Sequence, residues 1–276
     1  MECIVPVQWN KRAFDRLVLK SQKKELIKAL VTVHLSTTSS TDVIEDKGKG
    51  LIMLFHGGPG TGKTLTAESV AELVQKPLYR VTCGDIGTEP ESVEKYLDSV
   101  LYIGTMWDCI VLLDEADVFL EERTLADLQR NALVSVFLRV LDYYQGILIL
   151  TSNRVGTFDE AFKSRVQLAL HYPKLEEDGR WEIWHNFINS LSSDGENVQL
   201  EELQHKLGVL ARYKLNGRQI RNTVKTARQL AHYRREKLEY SHFETAIEVA
   251  DEFEEYLLKT HGHTDEEYAR AQRTRY

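Results

Sequence analysis

The stretch HGGPGTGKT, His56 to Thr64, constrains this chain more than any other. Gly57, Gly62, Lys63 and Thr64 fill a G-x-x-x-x-G-K-[ST] arrangement, with the apolar run LIMLF before it and the helix-spaced TLTAESVAELVQ after it. A glycine-rich turn between strand and helix lets successive backbone N–H groups curl around phosphate oxygens without Cβ clashes. The helix N-terminus adds its positive end. Lys63 is then expected to reach the β- and γ-phosphates, and Thr64 to offer its hydroxyl to Mg2+. The alternative, a glycine-rich turn with no ligand, is disfavoured by the strand and helix on either side.

A second motif completes the chemistry. In IVLLDEADVFLEER, Ile110 to Arg123, four apolar residues make a buried strand that carries Asp114 to its C-terminal end. There Asp114 can hold the hydration shell of the cation. Glu115, one residue on, can orient and polarise an attacking water, which separates hydrolysis from binding alone. Ala116 and Asp117 read as the start of a helix. Without the phosphate loop, an Asp-Glu pair here would read as a strand-end acid that caps a helix. A later strand, GILILTSNR, ends in Thr151, Ser152 and Asn153. Asn153 is a candidate for positioning the attacking water, with simple turn formation as the alternative.

Residues 10–34 read as helical, with Ser21 as N-cap and an apolar stripe of Leu26, Ile27, Leu30, Val31 and Leu35. STTSSTD and EDKGKG follow as a connector. From Leu51, short apolar runs at 51–55, 78–82, 109–113, 147–151 and 166–172 alternate with helical patterns. That alternation predicts parallel strands with crossover helices, an α/β doubly wound sheet. Segments 176–192, 199–213, 217–237 and 241–259 have helical spacing, so a small all-α domain follows. The expected division is a helical linker over 1–50, an α/β nucleotide-binding core over 51–173, a helical domain over 174–260 and a polar tail over 261–276.

With 276 residues, 42% hydrophobic and 28% charged, the chain has room for one large domain and a small one. Its apolar runs fall far short of the roughly 20 residues that span a bilayer, so no membrane segment is expected. The N-terminal sequence has no secretory pattern, which implies a reducing, intracellular compartment, cytoplasm or nucleus. Cys3, Cys83 and Cys109 have neither metal-ligand nor pairing spacing and read as buried, reduced thiols. A net charge of −7 argues against a nucleic-acid binder that relies on phosphate neutralisation.

The motif set resembles the AAA+ ATPase family, the main AAA branch in particular, strongly over about residues 50–172 and moderately over 173–237. GGPGTGKT resembles Walker A, IVLLDEAD Walker B and ILTSNR sensor 1; TFDEAFKSRVQLALHYP is similar to the segment that carries the arginine finger, with Arg165 the best match. WNKRAFDRLVL is similar to the linker before the ATPase core of fungal AAA proteins of undescribed role. The resemblance implies a P-loop NTPase core followed by an all-α lid, with ATP and Mg2+ as cofactors. It implies ATP contacts from Gly57, Gly58, Pro59, Gly60, Thr61, Gly62, Lys63, Thr64, Leu65, Asp114 and Asn153, and Mg2+ contacts from Thr64 and Asp114. The catalytic set is then Lys63, Glu115, Asn153 and Arg165. The family also implies a homo-oligomer, typically a hexameric ring, in which Arg165 stabilises charge on a neighbour's γ-phosphate. The remodelled protein is unknown. An arginine just before a strand is also open to a surface ion pair.

Leu215-Asn216-Gly217 reads as a turn and N-cap opening a helix on which Arg218, Arg221, Lys225 and Arg228 share roughly one face. The resemblance places Gly217 and Arg218 at sensor 2, near the nucleotide. The main AAA branch usually has a small residue where Arg218 stands, so a solvated basic face is the alternative. Threading rings usually carry an aromatic-hydrophobic-Gly pore loop; here Ile86-Gly87 match its last two positions, but Asp85 takes the aromatic one. An aromatic clamp is therefore not expected. Two other functions stay open, an ATP-dependent assembly module with negligible hydrolysis and a nucleic-acid motor.

Overall fold

The computed structural model describes residues 7–36, 50–82, 89–120, 127–153, 158–193 and 197–261. They fall into two compact units, one drawn from residues 1–57 and 63–172, the other from 58–62 and 173–276.

The first unit is built on five parallel strands, β1 (Leu51–Gly57), β2 (Leu78–Thr82), β3 (Ile110–Asp114), β4 (Ile147–Ser152) and β5 (Leu168–Tyr172), in the order β2-β3-β4-β1-β5. β1, β3 and β4 are apolar almost throughout because both faces are covered. Alternate side chains divide between two cores. Ile52, Leu54, Val111, Leu113, Leu148 and Leu150 pack with α3 (Pro90–Met106), α4 (Asp117–Leu120) and α5 (Leu128–Tyr143). Met53, Phe55, Ile110, Leu112, Ile147 and Ile149 pack with α1 (Ser21–Ser36) and α2 (Lys63–Val74). A short helix, α6 (Glu160–Lys163), is capped by the Asp159 side chain, which accepts from Ala161 N. β5 is an edge strand, and its alternate residues Ala169 and His171 are exposed.

The second unit is helical: α7 (Glu177–Ser193), α8 (Leu200–Arg212), α9 (Gly217–Arg234) and α10 (Tyr240–His261). Trp184, Ile188, Leu203, Leu207, Ile220, Val224, Phe243 and Ile247 form its core. Asn216 opens α9 through a capping box, its Oδ1 accepting from Gln219 N at 2.9 Å while its own N donates to Gln219 Oε1 at 2.8 Å. Among the described residues no helix is long and apolar enough to cross a membrane.

The N-terminal expectation needs correction. Residues 11–16 form turns and 17–20 are irregular, and α1 begins at Ser21, which is therefore its first residue and not its cap. Phe14 and Leu17 are buried against the sheet, so an apolar i, i+3 pair there looks helical in sequence. Their backbone bonds mix short and long turns, such as Leu19 N to Leu17 O and Arg16 N to Arg12 O. Of the predicted stripe, Ile27 and Val31 are buried, while Leu26 and Leu35 are exposed. Cys109 is partly exposed rather than buried; Cys3 and Cys83 lie outside the described residues. So do most of the connector, the tail, and Asp85, Ile86 and Gly87.

Candidate functional site

The strand order brings three C-terminal strand ends to one edge of the sheet: Gly57 of β1, Asp114 of β3 and Ser152 of β4. In doubly wound sheets ligands bind in this region. After β1 the chain makes the loop of residues 57–62 with three glycines at positive φ, 145° at Gly57, 70° at Gly60 and 100° at Gly62. A Cβ on Gly57 would meet Tyr172 O at 2.1 Å, whereas one on Gly62 would meet nothing within 4 Å. Lys63, first residue of α2, is buried and donates from Nζ to Gly57 O at 2.8 Å. A buried ammonium needs such a partner, and the same geometry keeps it on the loop rather than in solvent. Within the second unit, Gly60 O accepts from Gly217 N at 2.9 Å. Pro59 and Leu65 are exposed; Gly58 and Thr61 are half-buried, and Thr61 Oγ1 donates to Gly58 O at 2.8 Å.

Asp114 collects donors from three elements. Thr64 Oγ1 on α2 lies 3.2 Å from its Oδ1, Arg80 Nη2 on β2 lies 2.6 Å from its Oδ2, and Thr151 Oγ1 on β4 donates to Oδ1. Thr151 also accepts from Glu115 N at 3.0 Å, and its carbonyl accepts from Ala116 N at 2.9 Å. These bonds hold Glu115 at φ 59°, a left-handed backbone that a non-glycine residue adopts only when its surroundings fix it. The Glu115 carboxylate is exposed. The sheet thus separates two adjacent acids, Asp114 inward on its donors and Glu115 outward.

Thr64 and Asp114 supply hard oxygen donors within reach of each other, the donor chemistry that suits Mg2+ bound with phosphate oxygens and water rather than in an all-protein cage.

Asp117 does more than begin α4. Its Oδ1 accepts from Ser152 Oγ and, at 3.2 Å, from Asn153 N, so it fixes the turn on which Asn153 sits. Arg165 lies elsewhere in the unit, its fork closed on Asp142 (Nε to Oδ1 2.7 Å, Nη2 to Oδ2 2.9 Å), with Nη1 donating to Ala161 O. That is the ion pair its position also allowed, and reaching any other anion requires leaving it. Arg218, Arg221 and Lys225 are exposed on α9. His56, just before the loop, lies with its ring 5.1 Å from that of His171 in a tilted arrangement and meets Phe158 edge-on. Burial, and then the charges of His171, Lys23 and Lys63, hold its pKa below the usual histidine value.

Sequence reasoning missed Thr151 as a bridge, Asp117 as an anchor and Arg80 altogether. The first two stood inside quoted motifs. Arg80 carried no motif, only the anomaly of a charge in a short strand.

Comparison with known proteins agrees with this geometry. Residues 53–174 match the family model "ATPase family associated with various cellular activities (AAA)", and residues 175–264 match the "Fungal AAA+ ATPase lid domain". The chain is 27% identical over 194 residues to ATPase family AAA domain-containing protein 3-B of Xenopus laevis, covering 63% of this chain and 31% of that protein. It is 24% identical over 251 residues to the peroxisomal Lon protease homolog 2 of Rattus norvegicus, covering 77% of this chain and 28% of that protein. With human ATPase family AAA domain-containing protein 3B it shares 32% identity over 147 residues, 49% of this chain and 22% of the relative. The matched part thus spans less than a third of each of these relatives. A glycine loop ending in a buried lysine, an Asp-Glu pair on a parallel strand end and two adjoining family matches lead to one conclusion: the chain belongs to the AAA+ ATPase family and carries a fungal-type lid.

Proposed function

We propose that the chain is a Mg2+-dependent ATP-hydrolysing motor that remodels a protein or complex as part of a ring. The observation that carries this reading is the bridge at Thr151, which places Asp114 inward and Glu115 outward at adjacent positions. In this reading Lys63 exchanges Gly57 O for a phosphate oxygen. Thr64 and Asp114 would hold Mg2+, which supplies charge neutralisation at the β- and γ-phosphates. The exposed Glu115 carboxylate accepts a hydrogen bond from the attacking water and aims its oxygen at the γ-phosphorus. Asn153, fixed through Asp117, is the second group that orients this water. Gly217 and Arg218, at the start of α9, stand by resemblance at the sensor 2 position. Arg165 acts in trans after exchanging Asp142 for a neighbour's γ-phosphate.

The test is phosphate release at rising protein concentration. Wild type should gain specific activity as it assembles, and Glu115→Gln should lose at least about a hundredfold, the scale of a positioned general base. An unchanged rate in Glu115→Gln would sink the hydrolytic reading. The closed Arg165–Asp142 pair favours a second reading, assembly on ATP with little turnover. There light scattering would respond to ATP while phosphate release stays at background.

A further inference from the structure

Arg80 is not part of any nucleotide motif, yet it makes the one hydrogen bond from a cationic side chain to Asp114 recorded among the described residues. In the β2–β3 register Thr82 pairs with Asp114 and Arg80 with Leu112. Arg80 therefore sits two positions back on the same face and reaches diagonally forward, a span that suits a long side chain. Its own side chain is 52% exposed, while that of Asp114 is 8% exposed. The carboxylate is thus held in place by the sheet, and the guanidinium is the partner that can leave.

Arg80 and the cation address the same carboxylate. An ionised carboxylate in so little solvent requires a counter-charge, and it repels a triphosphate brought near it. Arg80 meets both needs when its Nη2 donates to Asp114 Oδ2. Mg2+ meets them when held by Thr64 and Asp114, and then competes with the guanidinium.

We infer that Arg80 is a positioning residue that serves as the built-in counter-charge of Asp114, supporting nucleotide binding without Mg2+ and setting how strongly Mg2+ enhances it. The inference rests on the proposed Mg2+ role of Asp114. It assigns Arg80 no contact with the reacting atoms.

The measurement is calorimetric titration of the full chain with a non-hydrolysable ATP analogue, in excess EDTA and across a Mg2+ series. In Arg80→Gln the EDTA affinity should fall by about three- to tenfold, the scale of a half-exposed charged pair. Affinity at saturating Mg2+ should change by less than about twofold, so the Mg2+ enhancement ratio rises. Arg80→Lys, which keeps the charge, should restore the ratio to near that of wild type. In an Asp114→Asn background the Arg80→Gln effect should vanish, because the charge it balances is gone. A thermal melt establishes folding; if the Gln variant melts early, Arg80→Met, which keeps the apolar stem, takes its place. A ratio in folded Arg80→Gln equal to wild type overturns the inference alone, as does a Lys variant that behaves like Gln. Wild type with no Mg2+ enhancement overturns the Mg2+ role of Asp114 and the inference with it.

Discussion

Replacing Thr151 by valine removes one hydroxyl and little volume, and it tests the link between the two acids. Thr151 is 1% exposed, so water cannot take over its bonds. The donation to Asp114 is charge-assisted, worth about 1.5–3 kcal/mol, and the acceptance from Glu115 N is worth about 1 kcal/mol. Asp114 keeps Thr64 and Arg80, so its carboxylate is not left bare. The added methyl regains about 0.5–1 kcal/mol of burial. The net cost is about 2–3 kcal/mol, which for a unit of this size lowers the melting temperature by roughly 5–10 °C. Thr151→Ser keeps the hydroxyl and costs only the methyl, about 1 kcal/mol. Differential scanning calorimetry of the α/β unit's transition compares the two. Turnover should separate them further, because Glu115 in the Val variant loses a bond that holds its left-handed backbone; a fall of about tenfold is expected. If the Val variant melts within about 1 °C of the Ser variant, the bridge does not hold the site as argued.

Asp117→Ala should release Ser152 and Asn153 together, cutting turnover about tenfold while nucleotide affinity stays within about twofold; phosphate release and nucleotide titration measure the two separately. His56 supplies a pH dependence. Its folded pKa is lowered, so the unfolded chain takes up a proton first: the contribution is complete above the unfolded value of 6.5 and is lost as pH falls below it towards the folded pKa. Urea midpoints at about pH 7.5 and 5.5 should therefore drop less in His56→Gln than in wild type, with His34, shifted the same way by burial, adding a background to both.

Local pattern carried the strands, the loop and the lid. Apolar runs bounded by polar turns mark the buried parallel strands β1, β3 and β4, and Asn216 with Gln219 marks a helix start, because each depends on residues close in sequence. What stayed hidden depends on strand order. Asp114, Thr151 and Arg80 meet because β3 lies between β2 and β4, an arrangement no spacing reveals. Asp117 was read as a helix start alone since its partners, Ser152 and Asn153, are 35 and 36 residues away. The error at residues 11–20 has the opposite origin. Phe14 and Leu17 give the apolar spacing of a helix, yet the burial they need is met by turns.

The two outer glycines of the loop answer to different constraints. An alanine at Gly57 would strike the Tyr172 carbonyl, and φ 145° disfavours any side chain there, so β1 and β5 cannot close without it. A descendant that had lost nucleotide binding would still be selected to keep this glycine for folding. Gly62 has open space around it, and only its φ of 100° resists substitution. When degenerate copies of such a domain are sorted into working and dead ATPases, the first glycine therefore carries almost no information. Loss at the position of Gly62, or of the lysine after it, is the mark of a chain that no longer handles phosphate.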